Sequence, residues 1–150
     1  MLRIMEVFNF HGIYDIIIKV YHRRNIIMEK MNNDIFQLLT DEEEVEELSN
    51  KIIPAKDRPD FFDDMSRFLL KAVIYYLISS TPKEEQTINN AIELLKKSEV
   101  TDDNNELKKR INELPYDHVA KMNFKTVELL PEKTYAETVK TLEKILESLI

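Results

Sequence analysis

The chain has 150 residues, no Cys, a single Gly and a formal net charge of −7. This length suits one domain with its own hydrophobic core. The lack of Cys excludes disulfides, thiolate metal sites and a cysteine nucleophile, and it fits a reducing compartment. Gly12 alone cannot form the glycine-rich loops that hold nucleotide phosphates, because such loops need two or three glycines.

The negative charge is local. Residues 41–64 hold ten acidic and three basic side chains, and the two signs balance over the rest of the chain. Such a surface does not favour nonspecific capture of a nucleic-acid backbone. The longest apolar stretch, residues 68–78, includes Lys71 and is well short of the roughly 20 residues of a spanning helix. We expect a cytoplasmic chain with no direct membrane insertion and no secretion signal.

Residues 1–33 form an N-terminal segment that the pattern does not assign. Its β-branched and aromatic residues fit strands, yet several of them also lie at helical spacing. A short strand or extended segment within residues 1–35 therefore stays open. Residues 34–150 predict an all-α domain, because prolines and capping residues punctuate apolar stripes of helical period.

The first predicted helix covers residues 41–53 and ends at Pro54. Thr40 to Glu43 fits a capping box, in which Thr40 is the N-cap and Glu43 reaches back to it. Val45, Leu48 and Ile52 then lie on one face. The next helix, over about 60–80, is apolar on nearly every side, which is typical of a central helix packed by neighbours on several faces.

Four further helices follow. Thr81 as N-cap and Pro82 at the first helical position predict a helix that runs to about Ser98. A short helix ends at Pro115, and another is capped by Asp117 and ends at Pro131. The last helix carries a narrow apolar seam of the kind that packs on another helix. The predicted stripes of these last three helices are Leu107, Ile111 and Leu114; Val119, Met122, Val127 and Leu130; and Tyr135, Val139, Leu142, Leu146 and Leu149. The fold prediction is a compact bundle of about six or more helices.

Catalytic chemistry finds little support. The three His residues are too far apart in sequence for a zinc-binding pair. Asp117 beside His118 resembles an acid/base pair, but a capping residue and a first-turn residue explain both better. Two basic clusters, His22–Arg24 and Lys108–Arg110, read as ordinary helix surface. We expect no catalytic, cofactor-binding or metal-binding residue, and no enzymatic activity of this chain alone.

The acidic run of residues 41–47 is the strongest candidate interaction feature. Its carboxylates should lie on the solvated face of a helix near the N-terminus, where the helix dipole favours negative charge. A metal site is the weaker reading, since no calcium-loop pattern is present. The predicted partner-docking residues are Glu43, Glu44 and Glu47.

Several motifs of residues 60–139 resemble a known family when they are taken together. They are Phe61-Phe62 at the head of a long apolar helix, Pro82 to Gln86 (PKEEQ), Glu93 to Leu95 (ELL), Pro115 to His118 (PYDH) and Lys133 to Val139 (KTYAETV). With the acidic stretch 34–52, they resemble the all-α domain inserted in coupling proteins of type IV secretion systems. The closest likeness is to the TraG/TraD-like class of Gram-positive conjugative elements. The resemblance covers about 34–148 and is strongest over 60–125.

The resemblance implies a role in DNA transfer. In that family a membrane-anchored hexameric ATPase feeds a relaxase-bound DNA strand to the secretion channel, and its all-α domain is a cytoplasmic cap that recognises the relaxase and accessory proteins. The phosphate loop and the acidic magnesium-binding strand of the parent are absent from this chain. We therefore expect an excised or truncated docking domain, which would meet the parent's motor domain and the processed DNA strand only through that assembly.

Two other functions remain open from the residues. The chain could be a DNA-binding helical domain, or a small helical regulator or enzyme unrelated to conjugation that uses Asp117 and His118 or the acidic run. Tight binding of naked single-stranded DNA would favour the first of these alternatives.

Overall fold

A computed structural model describes residues 32–98 and 104–150. The interpretations of residues 1–31, including the basic cluster His22–Arg24, lie outside the described residues. Within the described ranges the chain contains six α-helices, two 3₁₀ turns and no strand, which confirms the predicted all-α bundle. The helices are α1 (Glu42–Ile52), α2 (Phe61–Ser80), α3 (Ile88–Lys97), α4 (Glu106–Asn112), α5 (Val119–Glu128) and α6 (Glu132–Glu147).

Helix α2 lies at the centre of the bundle. Helices α1, α3, α5 and α6 all pack against it, and every residue from Leu69 to Leu77 is buried. This confirms the predicted central helix packed on several faces, although its first two turns are less covered: Phe61 is half exposed, and Phe62 and Met65 are only partly buried. The physical reason is that the neighbouring helices pack chiefly on its later turns.

The predicted seam of α6 is confirmed. Val139, Leu142 and Leu146 are fully buried, and α6 packs on both α2 and α3. Tyr135 has a polar role that the apolar pattern did not suggest. Its hydroxyl accepts a hydrogen bond from Asn105 Nδ2 at 3.1 Å and donates one to Ser98 Oγ at 3.2 Å. Ser98 and Asn105 are both buried, so this network ties α6 to the end of α3 and the start of α4.

Three predicted helix starts shift in the structure. The N-cap of α1 is Asp41, not Thr40, and its carboxylate accepts from the N–H of Glu44. The N-cap of α5 is His118, not Asp117, because Nδ1 of His118 accepts from the N–H of Ala120. The usual N-cap preferences favour Asp41 over Thr40, in agreement with the structure, but they also favour Asp117 over His118, so the start of α5 departs from them.

The start of α3 moves furthest from its prediction. Thr81 ends α2 instead of starting α3, since its hydroxyl donates to the carbonyl oxygen of Leu77 at 2.6 Å. The buried side chain of Gln86 then donates to the carbonyls of Ile78 and Thr81, which fixes the connecting turn. The N-cap of α3 is Thr87, whose hydroxyl accepts from the N–H of Asn90.

A distant residue completes the N-terminus of α3. The carbonyl of Asn33 accepts from the N–H of Ile88, and the side-chain oxygen of Asn33 accepts from the N–H of Asn89, both at 2.8 Å. Because the first turn of a helix leaves several N–H groups without partners, these two bonds satisfy donors that Thr87 does not reach.

Candidate docking surfaces

Helix α1 presents its carboxylates away from the core. One face of the helix is buried through Val45, Leu48 and Ile52, so the opposite face is turned outward. We call the outward carboxylates of Glu42, Glu43, Glu46 and Glu47 the acidic face. The pairs 42/46 and 43/47 are each four residues apart, so they stack along the helix surface.

The three predicted docking residues differ in their exposure to solvent. Glu43 is exposed, whereas Glu44 and Glu47 are partly buried. The expectation that Glu44 is simply solvated was wrong. Its carboxylate accepts from the N–H of Thr40 at 2.7 Å and from the Thr40 hydroxyl at 2.9 Å. Together with the cap by Asp41 this resembles a capping box, except that the bonds from Glu44 go to Thr40, the residue before the N-cap, and not to Asp41.

A lysine of α2 balances part of the acidic face. Lys71 is almost buried, and its ammonium lies 3.2 Å from Glu46 and 4.8 Å from the ring centre of Phe68. A charged residue inside an apolar helix run indicates that the charge has a partner, because a buried charge is costly unless it is paired. That signal was present in the sequence, but the partner lies 25 positions earlier and could not be chosen from the pattern.

The phenol of Tyr75 lies below the start of α1. Its hydroxyl points to the carbonyl oxygen of Glu42, at a long 3.4 Å. Burial and then the nearby carboxylates of Glu42 and Glu46 raise the pKa of Tyr75 to about 12. Both effects disfavour the phenolate, since burial removes water and the carboxylates repel a second negative charge. The acidic face therefore acts electrostatically on a group inside the bundle.

Glu42 and Glu43 keep their charges uncompensated. Both are exposed, and neither carboxylate makes an ion pair with any residue in the part of the chain that the structure describes. Glu46 is neutralised by Lys71, and Glu44 is hydrogen-bonded to Thr40. The accessible negative charge of the acidic face is thus concentrated at the N-terminal turn of α1.

The other sequence candidates serve the fold. His118 uses Nδ1 for its cap, and Asp117 is exposed beside it. In the basic cluster, Lys108 pairs with Glu128 at 3.8 Å, and Arg110 binds Glu106 at 3.0 Å. Over residues 32–98 and 104–150, no group of three or more His, Asp or Glu side chains is placed to hold a metal ion.

A polar cleft of about 310 Å³ opens between α2, α3 and α4. Glu85 and Glu93 line it together with Lys97 and Arg110, so the charges of its walls balance. This balance gives no preference for an anionic or a cationic ligand, and the guanidinium of Arg110 is already held by Glu106.

Comparison with protein-family models, with curated proteins and with solved structures finds no match to this chain. The resemblance to coupling proteins stays a prediction that rests on the sequence motifs. None of the helices described is both long and apolar enough to cross a membrane.

Proposed function

We propose that this chain is a protein-docking module, the substrate-docking all-α domain of a conjugative coupling protein. In this proposal it binds the relaxase or a relaxosome accessory protein at the cytoplasmic face of the membrane. The processed DNA strand would reach it only as part of that complex. ATP hydrolysis would belong to the motor domain of the parent protein, and this chain would contribute recognition.

The observation that carries the proposal is the uncompensated charge at the start of α1. Glu42 and Glu43 are exposed on a helix whose opposite side is anchored in the core. A rigid, one-signed patch of this kind mainly accelerates encounter with a partner of opposite charge and helps to exclude wrong partners. Proteins that bind the phosphate backbone of nucleic acid do so with surfaces rich in Lys and Arg, so this acidic patch suits a basic partner protein better than it suits bare DNA.

The test compares two variants with the same change in net charge. One is Glu42→Gln/Glu43→Gln on the acidic face. The control is Glu84→Gln/Glu113→Gln, which alters two exposed glutamates away from α1. Glu44 is left unchanged in both, because its substitution would remove the two hydrogen bonds that its carboxylate accepts from Thr40. Far-UV circular dichroism checks that α1 survives the loss of charges near its N-terminus.

The assay is association with an immobilised complex of DNA and a relaxase, at low and at high salt. We expect the first variant to associate several-fold more slowly at low salt, with the difference shrinking at high salt, and the control to behave like the unmodified chain. Equal rates for both variants would remove the acidic face from the interface. Tighter binding to naked single-stranded DNA than to the relaxase complex would instead favour the DNA-binding alternative.

A further inference from the structure

Large exposed apolar side chains are concentrated on one helix. Four such residues occur in the described ranges, and three of them belong to α5 and its flanking turns: Tyr116, Met122 and Leu129, with 80%, 60% and 85% of their surfaces exposed. Isolated apolar residues on a surface are normal, whereas a contiguous group marks an interaction site. The prediction that Met122 belongs to the core was therefore wrong.

These residues form a continuous strip. Met122, Lys125 and Leu129 are spaced three and four residues apart, so they share one side of α5 over about 10 Å. Leu129 keeps helical backbone angles as the C-cap and remains in line with them. The Lys125 ammonium lies 4.6 Å from the ring centre of Tyr116, which places the ring beside the strip. We call these four residues the α5 strip.

The helix beneath the strip is firmly held. Ala120, Phe124 and Val127 are buried on its other side, and α5 packs against α2 and α4. The strip is therefore presented on a rigid backbone, so binding a partner costs little further backbone freedom. Tyr and Met are also enriched at protein interfaces relative to the rest of the surface.

We propose that the α5 strip binds a segment of a partner protein in which a carboxylate is flanked by apolar side chains. Lys125 lies at the middle of the strip and makes no ion pair with any other described residue; its ammonium rests over the ring of Tyr116. A carboxylate opposite Lys125 would gain a charge-assisted hydrogen bond in a partly dehydrated setting, while apolar groups on either side cover Met122 and Leu129.

The charge of Lys125 argues against a second copy of this chain as the occupant. An antiparallel pairing of two strips would set Met122 of one copy against Leu129 of the other. It would also bring the two Lys125 ammonium groups together near the two-fold axis, where like charges oppose association. Nucleic acid suits the strip less well, because single-strand binding uses a basic groove with successive aromatic platforms, and among the four residues of the strip Tyr116 is the one aromatic side chain and Lys125 the one cation.

The proposal goes beyond the acidic face, since it assigns a different helix and the opposite charge preference. Its test begins with a library of displayed 18-residue peptides, selected on the full chain and counter-selected on the Met122→Ser/Leu129→Ser variant. We expect recovered peptides to carry Asp or Glu between apolar residues. The matched control is Phe61→Ser, which removes the fourth exposed apolar residue and should retain those peptides.

A charge exchange then tests the role of Lys125. For the best synthetic peptide, we expect Lys125→Glu to weaken binding by about tenfold or more, in line with the worth of one charge-assisted hydrogen bond. Replacing the peptide's acidic residue by Lys should restore affinity for the Lys125→Glu variant. Recovery of no peptides or of basic peptides, or an unchanged affinity of Lys125→Glu, would overturn the proposal.

Two further experiments test the other possible occupants of the strip. Sedimentation velocity tests self-association, and binding of a single-stranded oligonucleotide tests nucleic acid. A dimer of the unmodified chain that the Met122→Ser/Leu129→Ser variant loses would assign the strip to self-association and overturn the proposal. Oligonucleotide binding that the same variant loses would overturn it in favour of nucleic acid. A monomer with no such binding supports it. None of these results depends on the relaxase assay, so this proposal and the proposed function can fail separately.

Discussion

Replacing Leu142 by Ala tests whether α6 is an integral part of the core. Leu142 is fully buried where α6 packs on α2 and α3. The substitution removes three carbon atoms, which at about 0.8 kcal/mol per buried methylene group is a transfer loss of about 2.4 kcal/mol. The cavity left behind adds to this loss, because surrounding side chains relax only partly. We expect the free energy of unfolding to fall by about 2.5–5 kcal/mol.

Leu129→Ala is the matched control, since it makes the same chemical change at a site that is 85% exposed. We expect it to alter the free energy of unfolding by less than about 0.5 kcal/mol, as is usual for surface positions. Urea unfolding followed by circular dichroism measures both variants, provided that the slope of the transition is unchanged. A difference between the two variants below about 1 kcal/mol would refute the packing of α6 described above.

Two further predictions concern buried polar groups. Tyr135→Phe removes the hydroxyl to which both Asn105 Nδ2 and Ser98 Oγ are hydrogen-bonded. We expect urea unfolding to show that the free energy of unfolding falls by about 1–3 kcal/mol. An unchanged free energy of unfolding would mean that water replaces the hydroxyl without cost. The pKa of Tyr75 is raised to about 12 in the folded chain, against 10.0 for an unperturbed tyrosine. The folded state therefore holds this proton between pH 10 and 12 while the unfolded state releases it, and stability should fall as pH rises through that window. Tyr75→Phe should make the fall shallower, and identical pH profiles for the two chains would contradict the assignment.

The sequence predicted the helices well because proline positions and apolar stripes are local signals. The stripe of α1, with Val45, Leu48 and Ile52, is buried as its spacing indicated. The stripe of α5 was only partly right. Val127 is buried, but Met122 turns outward because Phe124, which packs edge-on against Tyr135, takes the inner position. Two overlapping stripes fit that helix, and only its neighbours select between them.

The details of the candidate docking surfaces depended on contacts that a pattern does not contain. The sequence pattern does not distinguish Glu43 from Glu44 within the acidic run. With Asp41 as the N-cap, the carboxylate of Glu44 is hydrogen-bonded to Thr40, whereas that of Glu43 stays in solvent. The pairing of Glu46 with Lys71 joins two helices. The sequence therefore predicted which helix would be acidic, and tertiary packing decides which of its charges remain accessible.

The two hydrogen bonds that Asn33 accepts from α3 bear on the order in which the chain folds. They join residues 55 and 56 positions apart, so a long loop must close before they form. Closing a flexible loop of that length costs about 3.5 kcal/mol in chain entropy beyond a constant. Two exposed or part-buried hydrogen bonds cannot offset that cost alone. The core around α2 must therefore assemble first. The two hydrogen bonds to Asn33 should then form after the folding transition state, so they should slow unfolding more than they speed folding.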